Sequence, residues 1–118
     1  MDLKEYGALA LRTAVDNGRD ENLMHAAMGI AGEGGEVVDH IKKVMFNGRI
    51  LDVAHVIEEL GDSMWYANLM VHTLGTTWDH VLSVNIRKLE ARYPELKFDV
   101  SRGLNRDLDA EKAAMGVV

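Results

Sequence analysis

The 118-residue sequence lacks cysteine entirely and has a single proline, Pro94. Without cysteine no disulfide framework forms, so a reducing compartment is expected. No apolar stretch approaches the roughly 18 residues that a membrane-spanning helix needs. Charged residues at Asp2, Lys4 and Glu5 precede any apolar run, which is unlike a signal peptide. These absences predict a soluble, cytoplasmic protein that does not partner with a membrane.

Basic residues are also scarce. The sequence has 13 lysines and arginines against 19 aspartates and glutamates, which gives a net charge of −6. Surfaces that bind DNA or RNA are normally basic, so no nucleic acid polymer is expected as a partner. A free nucleotide stays compatible with this charge, because a divalent metal ion can bridge its phosphates to acidic side chains.

The apolar pattern is helical, since no window alternates with period two and β-branched enrichment. Glycine is typical just past a helix C-terminus. Three such signals fall at Asn17-Gly18, Gly48 and Gly75. Thr76, followed by Asp79 three residues later, predicts the start of a fourth helix, which Pro94 should end. An all-α fold is therefore predicted.

Four helices in a bundle are the simplest arrangement for this pattern. A chain of this length is one domain by size, so residues 1–118 are assigned to a single domain. The helical core is expected over about residues 2–93. A mixed, charged tail follows over residues 95–118, with a last short helix at 110–115.

The second and third predicted helices each carry an apolar seam with steps of three and four residues. In the second helix it consists of Leu23, Ala27, Ile30, Gly34, Val37, Ile41 and Val44. In the third it consists of Val53, Ile57, Leu60, Met64, Ala67, Val71 and Leu74. Two such helices joined by a short link should pack antiparallel along their seams. The third helix is also apolar outside its seam, so a homo-oligomer that covers it is predicted.

Two pairs of carboxylates lie mid-helix, each pair spaced by three residues: Glu33 with Glu36, and Glu59 with Asp62. Residues three apart project toward one region of a helix surface, so antiparallel packing would bring the pairs together. Converging carboxylates raise one another's pKa unless a cation neutralises them. Mg²⁺ prefers oxygen ligands and retains positions for water and phosphate, and Mn²⁺ is a possible substitute.

Glycines cluster around Glu33, although each interior glycine costs up to about 1 kcal/mol relative to alanine. Gly34 lies on the seam, where close helix packing would explain it. Gly29 lies on the carboxylate flank, where a missing side chain would leave room for a ligand.

Two segments, residues 25–39 followed by Lys42-Lys43 and residues 58–66, resemble the second- and third-helix signatures of MazG-like nucleotide pyrophosphohydrolases. The family pattern is E-x-x-E and then E-x-x-D, and here 22 residues separate Glu36 from Glu59. The segment Asn85–Leu89 resembles the family too, so the likeness covers about residues 22–94.

The resemblance implies an all-α fold assembled as homodimers or dimers of dimers. It also implies Mg²⁺-dependent cleavage of (d)NTPs between the α- and β-phosphates. Glu33, Glu36, Glu59 and Asp62 become the metal ligands and catalytic carboxylates. Glu36 is our choice for the residue that orients or deprotonates the attacking water.

Further residues are candidates for holding the substrate. Asn85, Lys88 and Arg92 share one face of the fourth helix and suit phosphate oxygens, although a solvated helix face is the alternative. Lys43 is a phosphate candidate or a charge at the helix C-terminus. Candidates for the nucleotide pocket are Asn22, His25, Trp65, Tyr66, Asn105 and Arg106. For these residues, helix capping, core packing and ordinary charge pairing stay open as alternatives.

The remaining histidines, including His40 and His55, are interpreted as structural. A di-iron bundle needs Glu-x-x-His pairs, which this sequence lacks. The R-E-x-x-E-E run of a Nudix hydrolase is absent as well, and the third helix differs from that of a phosphoribosyl-ATP hydrolase. The alternative from another class is a catalytically silent helical nucleotide-binding or interaction module.

Overall fold

The structure, a computed structural model, describes residues 1–116 and contains six α-helices and no β-strand within them. This confirms the all-α prediction. The helices are α1 (Leu3–Leu11), α2 (Arg19–Phe46), α3 (Val53–Thr73), α4 (Trp78–Arg92), α5 (Val100–Leu104) and α6 (Leu108–Met115). Over the described range, no helix combines the length and apolar character needed to cross a membrane. The last two residues of the predicted tail lie outside the described residues.

The chain divides into two compact units after Thr76. In the first unit α2 packs along α3, and α1 lies against α3. In the second unit α6 packs against α4. Near the start of α2, the ring of His25 contacts that of Tyr66, which lies late in α3. Near the end of α2, the ring of His40 contacts that of His55, which lies early in α3. The two long helices are therefore antiparallel, as predicted, whereas a single four-helix bundle stays a prediction.

Glycines and proline mark most helix ends where expected. Gly48 and Gly75, each with φ of 69°, follow α2 and α3, and α4 ends two residues before Pro94. The interpretation of Gly18 was wrong, because α1 already ends at Leu11. Gly18, with φ of 89°, is instead the residue before α2, and a left-handed glycine can turn the chain into a helix as well as out of one.

The predicted start of α4 was one residue early. Thr77, not Thr76, caps the helix, and its Oγ1 accepts a hydrogen bond from the His80 backbone N–H at 3.2 Å. Adjacent threonines offer the same capping chemistry, and the backbone geometry decides between them.

The predicted seams are buried only in part, since Val71 of α3 is 9% exposed whereas other seam residues lie in water. On α3, Ile57 and Leu60 are 63% and 56% exposed, and on α2, Ile30 is 42% exposed. Outside the predicted seams, Ala26 of α2 is fully buried and Glu59 of α3 is 8% exposed.

Two hydrogen bonds fasten α3 to α1 and to Thr13, which follows α1. The indole Nε1 of Trp65 donates to Thr13 Oγ1 at 2.7 Å, and the buried Asn68 donates from Nδ2 to the Gly7 carbonyl at 3.1 Å. A buried amide needs such partners, so Asn68 specifies where α1 docks.

Candidate metal centre

Three of the predicted carboxylates converge between α2 and α3. Glu33, Glu59 and Asp62 each offer one oxygen, and these atoms all lie within 4.8 Å of one another. Glu59 and Asp62 share a face of α3 because they are three residues apart, and Glu33 meets them from the antiparallel α2. Only 8% of the Glu59 surface is exposed, so the group is partly withdrawn from water. Three hard oxygen donors at this spacing suit a divalent cation such as Mg²⁺.

The electrostatics of the cluster agree with that chemistry. The pKa of Glu33 is raised, chiefly by its hydrogen bond with Glu59, then by burial, and then by the negative charges of Glu59 and Asp62. Burial and neighbouring negative charge disfavour the ionised form of a carboxyl group, and a bound cation would favour it.

Glu36 does not join this group. Among the described residues the compact cluster consists of the other three carboxylates, and Glu36 is exposed. Glu33 lies on the stripe of α2 that packs against α3, and a step of three residues turns Glu36 by about 60° toward the edge of that stripe. Its assignment as a ligand or water-positioning group stays a prediction.

Two neighbours of the cluster were missed in the sequence. His55 Nδ1 lies 3.5 Å from Glu59 Oε1, one helical turn away, and a spacing of four residues was the available signal. Tyr6 of α1 has its pKa raised by burial and then by the charge of Asp62. No local pattern indicates Tyr6, because its position depends on how α1 docks on α3.

An aromatic cavity of about 350 Å³ adjoins the carboxylates. His25, Trp65 and Tyr66 line it together with Glu33 and Asp62. The three rings contact one another edge to face, with centroids 5.1 Å apart for Trp65 and Tyr66 and 5.5 Å apart for His25 and Tyr66. Three of the residues predicted for a nucleotide pocket are thus brought together beside the candidate metal ligands.

The glycine interpretations require correction. A Cβ at Gly29 would overlap the ring of Tyr66, so that space is filled by the protein and is not left for a ligand. A Cβ at Gly34 would meet nothing within 4 Å among the described residues, so close packing of α2 on α3 does not explain this glycine.

Comparison with known proteins gives the family. The model of the MazG nucleotide pyrophosphohydrolase domain matches residues 21–97, a range that contains all four predicted carboxylates. The chain belongs to the MazG family. The Gene 37 protein of Mycobacterium phage L5 is 33% identical over 76 residues, which cover 61% of this chain and 67% of that protein. No solved structure matches the chain. The resemblance carried by residues 25–39 and 58–66 is confirmed.

Asn22 of this MazG domain is separate from the metal centre. It is buried inside α2, where it accepts a hydrogen bond from the Asn17 backbone N–H at 3.1 Å and donates to Asp16 Oδ1 at 3.0 Å. It therefore fastens the loop before α2, and it lines a different cavity of about 340 Å³ with Arg19 and His72. The idea that it is a helix cap is wrong, and its part in a nucleotide pocket stays a prediction.

In the second unit, two predicted ligand residues are paired with a buried carboxylate. Arg92 Nε and Arg106 Nη2 donate to the two oxygens of Glu111 at 2.8 and 2.7 Å, and Glu111 is 3% exposed. Hydrogen bonds from Arg106 and then Arg92 lower the pKa of Glu111 to about 2. Asn105 donates to the Ser101 carbonyl at 2.8 Å. Asn105 and Arg106 thus make polar pairings within the second unit, and their part in a nucleotide pocket stays a prediction.

The other residues predicted to bind phosphate differ in their contacts and exposure. Lys43 pairs with Asp39 at 2.6 Å, which stabilises the end of α2. Asn85 is exposed on α4, and Lys88 is half-buried there. Their contact with phosphate stays a prediction.

Proposed function

We propose that this MazG-family chain hydrolyses nucleoside triphosphates, converting (d)NTP and water to (d)NMP and pyrophosphate with Mg²⁺. The convergence of Glu33, Glu59 and Asp62 within 4.8 Å is the observation that carries the proposal. Family membership supports it, because the matching domain is a nucleotide pyrophosphohydrolase domain.

The donor set fits a hard divalent cation, with Mn²⁺ as a substitute for Mg²⁺. When bound, such an ion neutralises triphosphate charge and lowers the pKa of a bound water. Glu33, Glu59 and Asp62 would hold the ion through one carboxylate oxygen each. Glu36 is assigned to orient or deprotonate the attacking water from the exposed side of α2.

The aromatic cavity supports a place for the base. Because Glu33 and Asp62 line both the cavity and the cluster, a base held by His25, Trp65 and Tyr66 lies next to the reacting phosphate. Phosphate oxygens are assigned to Lys43, Asn85, Lys88 and Arg92, of which Arg92 would have to share its guanidinium with Glu111.

A homodimer or a dimer of dimers is part of the proposal. Exposed apolar side chains on α2 and α3, such as Met28 and Ile57, support it because monomers rarely leave such stripes in water. Action on free nucleotides in the cytoplasm stays a prediction from the sequence.

The test is incubation of the purified protein with each (d)NTP, with and without Mg²⁺, followed by ion-exchange separation of the products. We expect monophosphate and pyrophosphate, with turnover lost without the metal and lowered about 100-fold or more in Glu59→Gln. Glu58→Gln is the matched control, because Glu58 is exposed and outside the cluster, and it should retain activity.

Other products would change the conclusion. Diphosphate and phosphate would refute cleavage between the α- and β-phosphates. The position of Glu36 away from the cluster favours one alternative, a catalytically silent nucleotide-binding or interaction module. Binding of Mg²⁺ and nucleotide by calorimetry without any turnover would establish that alternative.

A further inference from the structure

Besides the aromatic cavity, a second cavity near the carboxylate cluster, of about 380 Å³, lies in the first unit beside the end of α2 and the start of α3. Its lining includes His40, Lys43, Arg49, Asp52 and His55. The cavity borders the carboxylate cluster, because His55 lines it and also places Nδ1 3.5 Å from Glu59 Oε1.

The aromatic cavity and this second cavity lie on opposite sides of the carboxylate cluster along the helix pair. On α2, His25 of the aromatic cavity precedes Glu33, whereas His40 of the second cavity follows it. On the antiparallel α3 the order is reversed, with Trp65 after Asp62 and His55 before Glu59. Along the helix pair, the three carboxylates therefore lie between the aromatic cavity and the second cavity.

Each carboxylate of the second cavity has a partner within the described residues. Asp39 lies 2.6 Å from Lys43 Nζ and 3.9 Å from Lys42 Nζ, and these cations, with Arg49, help to hold its pKa below the usual value. The Asp52 carboxylate caps α3 by accepting the His55 backbone N–H at 3.0 Å. His40 Nε2 accepts the Asp52 backbone N–H at 3.0 Å.

Arg49 is the cation of the cavity wall that forms no ion pair among the described residues. Gly48, with φ of 69°, turns the chain at the end of α2, and the Arg49 backbone N–H donates to the Lys43 carbonyl at 3.2 Å. This turn places Arg49 on the cavity wall. Within residues 1–116 its guanidinium makes no hydrogen bond or ion pair, so its donors are free to bind an anion.

We propose that this cavity receives the β- and γ-phosphates of the substrate and holds the pyrophosphate product, with Arg49 as its principal cation. The inference rests on the proposed function. It orients the nucleotide along the helix pair, with the base in the aromatic cavity and the α-phosphate at the cluster. Attack of water forms a new oxygen bond to the α-phosphorus and breaks its bond to the α–β bridging oxygen. That oxygen leaves with its electron pair on pyrophosphate, and the water proton passes to a carboxylate.

The experiment measures the binding of inorganic pyrophosphate and of nucleoside monophosphate to the full chain by calorimetry in Mg²⁺. Arg49→Ala should weaken pyrophosphate binding about tenfold or more, because it removes charge-assisted hydrogen bonds. Monophosphate binding should change by less than about twofold, since that product lies on the other side of the cluster. Arg49→Lys should recover part of the pyrophosphate affinity.

Arg12→Ala is the matched control, because Arg12 is an exposed arginine of the same unit that lines neither cavity. Pyrophosphate affinity that is unchanged in Arg49→Ala, or lost equally in Arg12→Ala, would refute the inference while triphosphate turnover by the wild-type chain keeps the proposed function intact. Equal weakening of monophosphate and pyrophosphate would also refute it. Absence of turnover in the wild-type chain would refute both proposals.

Discussion

Gly29 is the glycine of α2 whose missing side chain matters most in the first unit. A Cβ at this position would overlap the ring of Tyr66, which is also part of the aromatic cavity. We predict that Gly29→Ala destabilises the chain by about 1–3 kcal/mol, because the ring must leave its packed position. Nucleotide affinity should fall as well. Chemical denaturation and nucleotide titration measure the two effects.

Gly35→Ala is the control for that substitution. Gly35 lies in the same helix, and a Cβ there meets nothing within 4 Å in the described part of the chain. Alanine should stabilise the helix at this position by up to about 1 kcal/mol, since glycine loses more backbone freedom on folding. If both variants behaved alike, the contact between Gly29 and Tyr66 would not be what decides the outcome.

The candidate site was predictable where spacing along one helix sets the geometry. Glu59 and Asp62 share a face by helical period alone, and Glu33 follows from antiparallel packing. The same reasoning cannot separate Glu33 from Glu36, because that distinction depends on the rotation of α2 against α3. Tyr6 was beyond reach because a contact between α1 and α3 carries no local signal.

At the scale of the helices, the helix ends were predictable where a glycine or proline stands after a helix. Gly48, Gly75 and Pro94 each end a helix as expected, whereas Gly18 showed that a left-handed glycine also serves before a helix. The apolar period correctly predicted helices α2 and α3 but not all of the side chains that they bury. Period gives an angle around one helix, whereas burial also depends on what packs against it, and the fully buried Ala26 lies outside the predicted seam.

The pairing of α6 with α4 depends on one carboxylate. Glu111 of α6 accepts hydrogen bonds from Arg92 and Arg106 and is 3% exposed. We predict that Glu111→Gln lowers Tm by about 5 °C or more, because two guanidinium groups lose the buried carboxylate that they pair with. Glu90→Gln, at an exposed position of α4, is the control and should leave Tm nearly unchanged.

The same carboxylate gives the effect a pH dependence. The pKa of Glu111 falls from 4.5 to about 2 on folding, so its ionised form is the one that the fold stabilises. The stabilisation is complete above about pH 4.5 and is lost as pH falls toward 2. Thermal melts should show a constant Tm difference between wild type and Glu111→Gln above this window and a shrinking difference within it. A difference that did not shrink would show that the carboxylate charge is not the cause.

At the scale of the whole molecule, the exposed apolar stripe of the first unit is the main unexplained surface. On α2, Met24 and Met28 are 65% and 67% exposed, and on α3, Val53 and Ile57 are 59% and 63% exposed. The stripe coincides in part with the seams that the sequence predicted to be buried. A regular apolar period that stays exposed on one chain is typical of a surface covered by another copy.

We therefore predict that the 13.1 kDa chain runs as a dimer or tetramer in light scattering coupled to gel filtration. Ile57→Lys should shift the mass toward that of one chain, because a charge in an apolar interface is costly to desolvate. Leu104→Lys, at a leucine of α5 that is 79% exposed, is the control and should keep the wild-type mass. A monomeric wild type would refute the oligomer, and an Ile57→Lys variant of unchanged mass would place the interface on a different surface. Retained Mg²⁺ affinity in monomeric Ile57→Lys would show that Glu33, Glu59 and Asp62 form the metal site within one chain.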